Sequence, residues 1–386
     1  MTKLEQLIQD LCPNGVKMVK LGDVANISRG VRVVKKDLAP MGSIPVYQNS
    51  MQPLGYYDKT NTPAYTAFVI SAGAAGDVGF SDIDFWAADD CLRIQGKESL
   101  DNKYAYYWLL KNQRYIYSQV RKASIPRLSK DIILSLQIPL PPLAVQSEIV
   151  RLLDKFTLYK SELAAELAAR LQQYEYYRDK LLTFDDSVEW KKLGEVFELR
   201  NGYTPSRNNH AFWDGGTIPW YRMEDIRKNG RILSDSIQHI TPVAIKGKGL
   251  FKKDSFILAT TATIGEHALL IADSLANQRF TNLEIRKSLK DSLLTKFVFY
   301  YMYVVDEFCK NHTNKSGFDS VDMKALVNMP FPLPPLEVQE RIVEILDRFD
   351  ALCNDIKIGL PAEIELRQKQ YEHYRDRLLT FEAKGD

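Results

Sequence analysis

Apolar side chains return at steps of three and four along two stretches of this chain, and between those stretches the pattern breaks into short runs. The first stretch places Val145, Ile149, Leu152, Phe156, Tyr159, Leu163, Leu167, Leu171 and Tyr174 on one line. The second places Val338, Ile342, Ile345, Phe349, Leu352, Ile356 and Leu360 on another, continued by Ile364, Tyr371, Tyr374 and Leu378. Residues at that spacing share one helical face, so the pattern predicts two long amphipathic helices. A Pro-Pro pair precedes each stretch, at Pro141-Pro142 and Pro334-Pro335, and suits a helix that starts just beyond it. From Pro142 to Leu182 is 41 residues, or about 60 Å of helix. A helix so long with one narrow apolar stripe needs a partner helix, and the second stretch is the candidate. Gly359-Leu-Pro361 is expected to kink or break that second helix. Elsewhere Val69-Ile-Ser71 and Phe256-Ile-Leu-Ala259 read as strands, and Tyr104 to Gln119 and Leu293 to Lys310 as aromatic-rich helices.

The two helical stretches are copies. Pro139-Leu-Pro-Pro-Leu-Ala-Val-Gln146 returns as Pro332-Leu-Pro-Pro-Leu-Glu-Val-Gln339, and 12 of the 20 residues from each proline are identical. Tyr174-Glu-Tyr-Tyr-Arg-Asp-Lys-Leu-Leu-Thr-Phe184 returns as Tyr371-Glu-His-Tyr-Arg-Asp-Arg-Leu-Leu-Thr-Phe381, identical at 9 of 11 positions. The segments between echo each other more faintly, as Lys20-Leu-Gly-Asp-Val24 with Lys192-Leu-Gly-Glu-Val196 and Ile44-Pro-Val-Tyr47 with Ile218-Pro-Trp-Tyr221. The order is therefore globule, arm, globule, arm: residues 1–138 (with a short N-terminal helix), 139–186, 187–331 and 332–386. The fold class is α+β, two pseudo-repeated α+β globules separated by two long helical arms. Within the first arm, Ser161-Glu-Leu-Ala164, Ala165-Glu-Leu-Ala168 and Ala169-Arg-Leu171 form a tetrad repeat. This is either simply good helix sequence or a ruler whose repeat count sets a distance.

Composition narrows the function. At 386 residues and 45% hydrophobic content the chain suits two or three packed domains. No signal peptide is evident, and the longest apolar-aromatic run, Phe297 to Val305, is too short to span a bilayer, so a soluble cytoplasmic chain without a membrane partner is expected. The four cysteines lie far apart and read as buried free thiols, and the five histidines show no metal-ligand spacing, so no metal site is expected. The net charge of +2 hides an alternation. Lys and Arg outnumber Asp and Glu by 17 to 13 over residues 1–138 and by 20 to 15 over 191–331. They are outnumbered 6 to 9 over 139–190 and 8 to 12 over 332–386. A polyanion would favour the globules and avoid the arms. Phosphate-binding and adenine-methylating motifs are absent, and Gly73, Gly76 and Gly79 read as a turn after a strand, so no catalytic residues are assigned.

The paired Pro-Leu-Pro-Pro-Leu-x-Val-Gln segments, the paired Tyr-Arg-Asp-[Lys/Arg]-Leu-Leu-Thr-Phe endings, the Lys-Leu-Gly-[Asp/Glu]-Val openings and Gly202-Tyr-Thr-Pro-Ser206 resemble the specificity subunits of type I restriction–modification systems. The tetrad repeat is similar to that of the subfamily whose central helix carries such repeats. The resemblance implies that each globule is a target-recognition domain reading one half of a bipartite duplex DNA target. It implies arms that pack intramolecularly as an antiparallel coiled-coil pair, fix the half-site separation and dock two methyltransferase (modification) subunits. Those subunits would hold S-adenosylmethionine, this chain binding no cofactor, and restriction/translocase subunits would join for cleavage.

Duplex binding needs cations for phosphates and planar polar side chains for base edges. Three kinds of segment supply them. A loop after each opening strand carries Arg29, Arg32, Lys35 and Lys36 in the first copy, and Arg200, Tyr203, Thr204, Ser206 and Arg207 in the second. The Ile-Pro echoes are followed by Gln48 and Asn49, against Arg222. Ahead of each arm stand Arg121, Lys122 and Arg127, against Lys315, and the second copy adds Thr261, Gln278 and Arg279. Two rivals explain parts of the pattern: a non-catalytic protein-interaction scaffold with two modules on a coiled-coil stalk, and a single-strand binder that stacks bases on aromatic rings. The scaffold gives no reason for alternating charge or for duplicated, diverged globules, and many of the aromatic residues fall in the predicted helices and look like core.

Overall fold

The first apolar stripe forms one unbroken 39-residue helix, Leu143–Leu181, in a computed structural model that describes residues 2–39, 41–122, 124–314, 319–355 and 358–384. In the second arm, helix Leu336–Asn354 ends before Gly359-Leu-Pro361, and helix Leu360–Leu378 takes over there; Ile356 of the stripe lies outside the described residues. The break falls where proline removes a backbone donor and glycine adds freedom.

The chain divides by its internal contacts into two units, residues 1–165 with 362–386, and residues 166–361. Each unit holds one globule, the helix that leaves it, and the end of the other arm. In the first unit, Phe156 stacks on Tyr374 at 5.1 Å and Lys160 donates to Gln368 at 2.7 Å. Residue numbers fall along one helix as they rise along the other, so the pair is antiparallel. In the second unit Tyr174 and Tyr177 meet Phe349, at 6.1 and 5.7 Å, and Arg170 acts on the Cys353 thiol, so numbers again fall along one helix as they rise along the other. The α+β expectation with antiparallel helical arms therefore holds.

Both globules share one sheet plan. In the first, strands Ala25–Arg29, Cys91–Gly96, Thr66–Ile70 and Val78–Ser81 lie in that order, all antiparallel. In the second, Phe197–Asn201, Phe280–Ile285, Ser255–Ala259 and His267–Leu270 repeat the order, and Ile232–Leu233 adds a fifth, parallel strand. A smaller sheet centres on Ile44–Tyr47 in the first and Ile218–Tyr221 in the second, with one antiparallel and one parallel neighbour each. The strands Thr66–Ile70 and Ser255–Ala259 are buried throughout, as central strands of apolar composition must be. Gly73 and Gly76 take positive φ in a turn, whereas Gly79 lies inside strand Val78–Ser81, a departure from the expected turn. The predicted helices form as Asn102–Lys111 followed by Gln113–Ser118, and as Thr295–Asn311.

The arm motifs bind the globules. Gln146 is fully buried, accepts from the Asp101 N–H at 2.9 Å, and donates to Ser99 and Pro141 carbonyls at 2.9 and 2.7 Å. Gln339 repeats this with Leu294 N–H at 2.8 Å and the Ser292 and Pro334 carbonyls at 2.8 and 2.7 Å. Asp154 receives Tyr107 and Lys103, as Asp347 receives Tyr300 and Lys296. The stripe differs from the sequence pattern at two kinds of position. Tyr159 is 54% exposed, while Leu153 and Leu346, off the predicted line, are wholly buried. Near its globule each arm helix is covered on two sides, by the globule and by the other arm, so its buried face is wider than a coiled-coil seam. All four cysteines are free and buried, as expected. Among the described residues no helix is long and apolar enough to cross a membrane.

Candidate nucleic-acid interface

The candidate segments gather at one edge of each globule, and the backbone there follows one scheme twice. In the first globule the Gly30 N–H donates to the Cys91 carbonyl (2.9 Å), Val31 N–H to Ala87 (2.9 Å), Ala88 N–H to Tyr47 (2.8 Å) and Ser71 N–H to Asp90 (2.7 Å). In the second, Gly202 donates to Phe280 (2.9 Å), Tyr203 to Ala276 (2.9 Å), Asn277 to Tyr221 (3.0 Å) and Thr260 to Arg279 (2.9 Å). A bridge Ala72–Arg127 matches a bridge Thr261–Ser320. Each edge is thus a cluster of three loops meeting at one turn, Ala88–Asp90 in one copy and Asn277–Arg279 in the other. Glycine is required where the first loop crosses that turn. A Cβ on Gly30 would lie 2.1 Å from the Ala87 oxygen, and one on Gly202 2.3 Å from the Ala276 oxygen.

Aromatic cores hold these edges. Tyr47 stacks on Phe68 at 4.8 Å, and buried Trp220 donates from Nε1 to the Tyr203 carbonyl at 3.0 Å. On the first edge Arg29, Arg32, Lys35 and Lys36 are exposed, and none pairs with a carboxylate among the described residues. Asn49 is exposed and Gln48 half-buried; the Asn49 carbonyl accepts from Ala74 N–H at 2.9 Å. Arg121, Lys122 and Arg127 are exposed on a hairpin closed by reciprocal Arg121–Arg127 backbone bonds of 2.8 and 3.2 Å, and Pro126 accepts from Gly73. All three segments therefore converge.

The second edge divides its candidates. Ser206, Arg207, Gln278 and Arg279 are exposed, and Thr204 donates to Gln278 Oε1 at 2.6 Å. Thr261 is half-buried in the bridged loop. Arg222 pairs with Glu224 at 2.6 Å. Arg200 and Tyr203 make internal bonds. Arg200 donates to the Gly249 carbonyl at 2.9 Å and lies over the Phe251 ring, burial holding its pKa below the usual guanidinium value. The Tyr203 hydroxyl donates to Ala244 at 3.1 Å and accepts from Lys246 N–H at 2.8 Å. Lys315 lies outside the described residues.

Two features escape sequence reasoning. Asp89 and Asp90 occupy the turn that Gln278 and Arg279 occupy in the other copy, an equivalence visible only through the backbone bonds above. Lys246 and Lys248 are exposed beside Tyr203, on a loop with no counterpart motif in the first copy. A third polar cluster, away from the loop edge, joins Asp306 to His267 at 2.7 Å and to Arg231 at 3.0 Å. His267 is wholly buried, and desolvation pushes its pKa down.

The family described as "Type I restriction modification DNA specificity domain" matches the chain twice, over residues 13–173 and 186–366. The chain is 34% identical over 396 residues to the EcoR124I/EcoR124II specificity subunit of Escherichia coli, spanning 90% of the chain and 95% of that relative. It is 48% identical over 212 residues to the EcoprrI specificity subunit, also of Escherichia coli, a match that covers 53% of the chain and 53% of the relative. In fold it is similar to the S subunit of a type I restriction–modification system from M. genitalium, with a TM-score of 0.56 at 17% identity over 94% of this chain and 96% of that one. The match of both halves to one specificity domain agrees with the two copies of one sheet plan and one loop edge. The chain belongs to the type I restriction–modification DNA specificity family, whose members are specificity subunits and not the catalytic ones.

Proposed function

We propose that this chain reads a bipartite duplex DNA target, one half-site at each loop edge. The observation that carries this reading is the doubled edge itself: two copies of one backbone scheme, each presenting cations and planar polar groups, with different side chains at matched positions. Arg29, Arg32, Lys35, Lys36, Arg121, Lys122 and Arg127 in the first domain, and Arg207, Arg279 and Lys315 in the second, supply phosphate and guanine contacts. Gln48, Asn49, Thr204, Ser206, Thr261 and Gln278 offer paired donors and acceptors to bases, and Arg222 joins them if it leaves Glu224. Arg200 and Tyr203 support their loop from within. Asp89 and Asp90 offer carboxylate oxygens, which accept hydrogen bonds and repel phosphate, so they suit a base amino group such as cytosine N4.

The arms, in this reading, set the half-site separation and dock two modification subunits. Those subunits carry S-adenosylmethionine and methylate adenine, this chain holding no cofactor of its own, and restriction/translocase subunits complete the assembly in the cytoplasm. The repeated arm motifs and the placement of both arms within each unit support this arrangement. Exchange of residues 20–138 for another recognition domain tests the division of labour. One half of the methylated motif is expected to change and the other to persist; change in both halves would sink the assignment.

A further inference from the structure

We propose that the loop Lys246-Gly247-Lys248-Gly249 is a phosphate cradle through which the second recognition domain, and not the first, grips the DNA backbone without regard to sequence. The loop borders a cavity of about 210 Å³ lined by Arg200, Asn201, Tyr203, Lys246, Lys248 and Phe251 among others, with no carboxylate in the lining. Gly247 and Gly249 have φ of +61° and +80°, the left-handed region, and no protein atom lies within 4 Å of where a Cβ would sit on either. Their conformation, not crowding, requires glycine. Such turns let backbone N–H groups approach an anion closely.

The loop is held at both ends. The Tyr203 hydroxyl accepts from Lys246 N–H, and Arg200 donates to the Gly249 carbonyl. Arg200, a guanidinium that proteins do not deprotonate, lines the cavity, with Glu284 acting on it from outside the lining. Both lysines are exposed, and neither has a carboxylate partner among the described residues. Three cations with no paired anion in the lining of one concave site suit a phosphodiester. Tyr203 also ties the loop to the edge, since its N–H binds Ala276 next to the Asn277–Arg279 turn. The first globule lacks the parts. Strand register places Ser28 where Arg200 stands, and the loop after strand Gly55–Tyr57 carries one lysine, Lys59, over the Tyr57 ring.

This inference rests on the DNA-reading proposal, and its test separates the two. The full chain, wild type and variant, is titrated with a labelled duplex of mixed sequence across a range of salt concentrations. Lys246→Ala/Lys248→Ala is expected to flatten the slope of log K against log salt by about 2, at roughly 0.9 per phosphate contact. Lys246→Gln/Lys248→Gln should do the same, and the methylated motif should be unchanged. Lys252→Ala/Lys253→Ala removes the same charge outside the cavity, where Lys252 already pairs with Asp273 at 2.9 Å, and should leave the slope nearly intact. A wild-type slope in the loop variants, or an equal loss in the Lys252/Lys253 control, would overturn the cradle while leaving DNA reading in place. Failure of the wild-type chain to bind duplex would overturn both.

Discussion

At the scale of single residues, the clearest device is the buried glutamine of each arm motif. Gln146 and Gln339 each satisfy one backbone donor and two carbonyls in places water does not reach. A buried polar group left without a partner costs about 1–3 kcal/mol, so Gln146→Ala is expected to destabilise the first unit by at least about 2 kcal/mol. Calorimetry should show one of two transitions moving down by several degrees; an unchanged thermogram would refute this account of the motif. The repetition of the glutamine was legible in the sequence, but its partners were not, because Ser99 and Leu294 are brought to it by folding. The same holds for Asp89 and Asp90. Their equivalence to Gln278 and Arg279 rests on backbone pairing between segments far apart in diverged sequence, such as Gly30 with Cys91 and Gly202 with Phe280, which no local pattern records. The exposed cations of the first edge were legible, since basic side chains in loops between strands have few other places to go.

At the scale of elements, the long helix Leu143–Leu181 is unevenly covered. Val145, Ile149 and Leu153 are wholly buried near the first globule, and Tyr174 is buried near the second. Between them Ala164, Ala165 and Glu166 are exposed and Leu167 is half-buried. Period-3.6 spacing exposed the helix and its main stripe. It did not single out Leu153 or Leu346, each one position beyond a residue on the line, which pack in the first and the second core. A middle with so little packing tolerates a change of length. Deleting residues 164–167 removes about 6 Å of helix, roughly one or two base-pair steps. The deletion variant is expected to remain folded and to methylate targets with a shorter spacer. An unchanged spacer preference would rule out the tetrads as a ruler.

At the scale of the whole molecule, the chain alternates in charge as it alternates in structure. Each arm leaves one globule, and its ending packs into the core beside the other. Leu182 belongs to the second core, and Leu379 to the first. The internal repeat therefore predicts a pair of like units that share their arms, as the two contact-defined units display. In the proposed reading, the bases that each edge selects are set by side chains that differ between the copies, and the globules that carry them repeat less closely than the arms. The most direct test is single-molecule methylation sequencing of DNA from cells that express this chain with a cognate methyltransferase subunit, against cells lacking the chain. The account predicts a methyladenine motif of two short half-sites around an unread spacer, present only with the chain. Its absence, with the methyltransferase intact and bound to the chain, would contradict DNA reading and favour a scaffold.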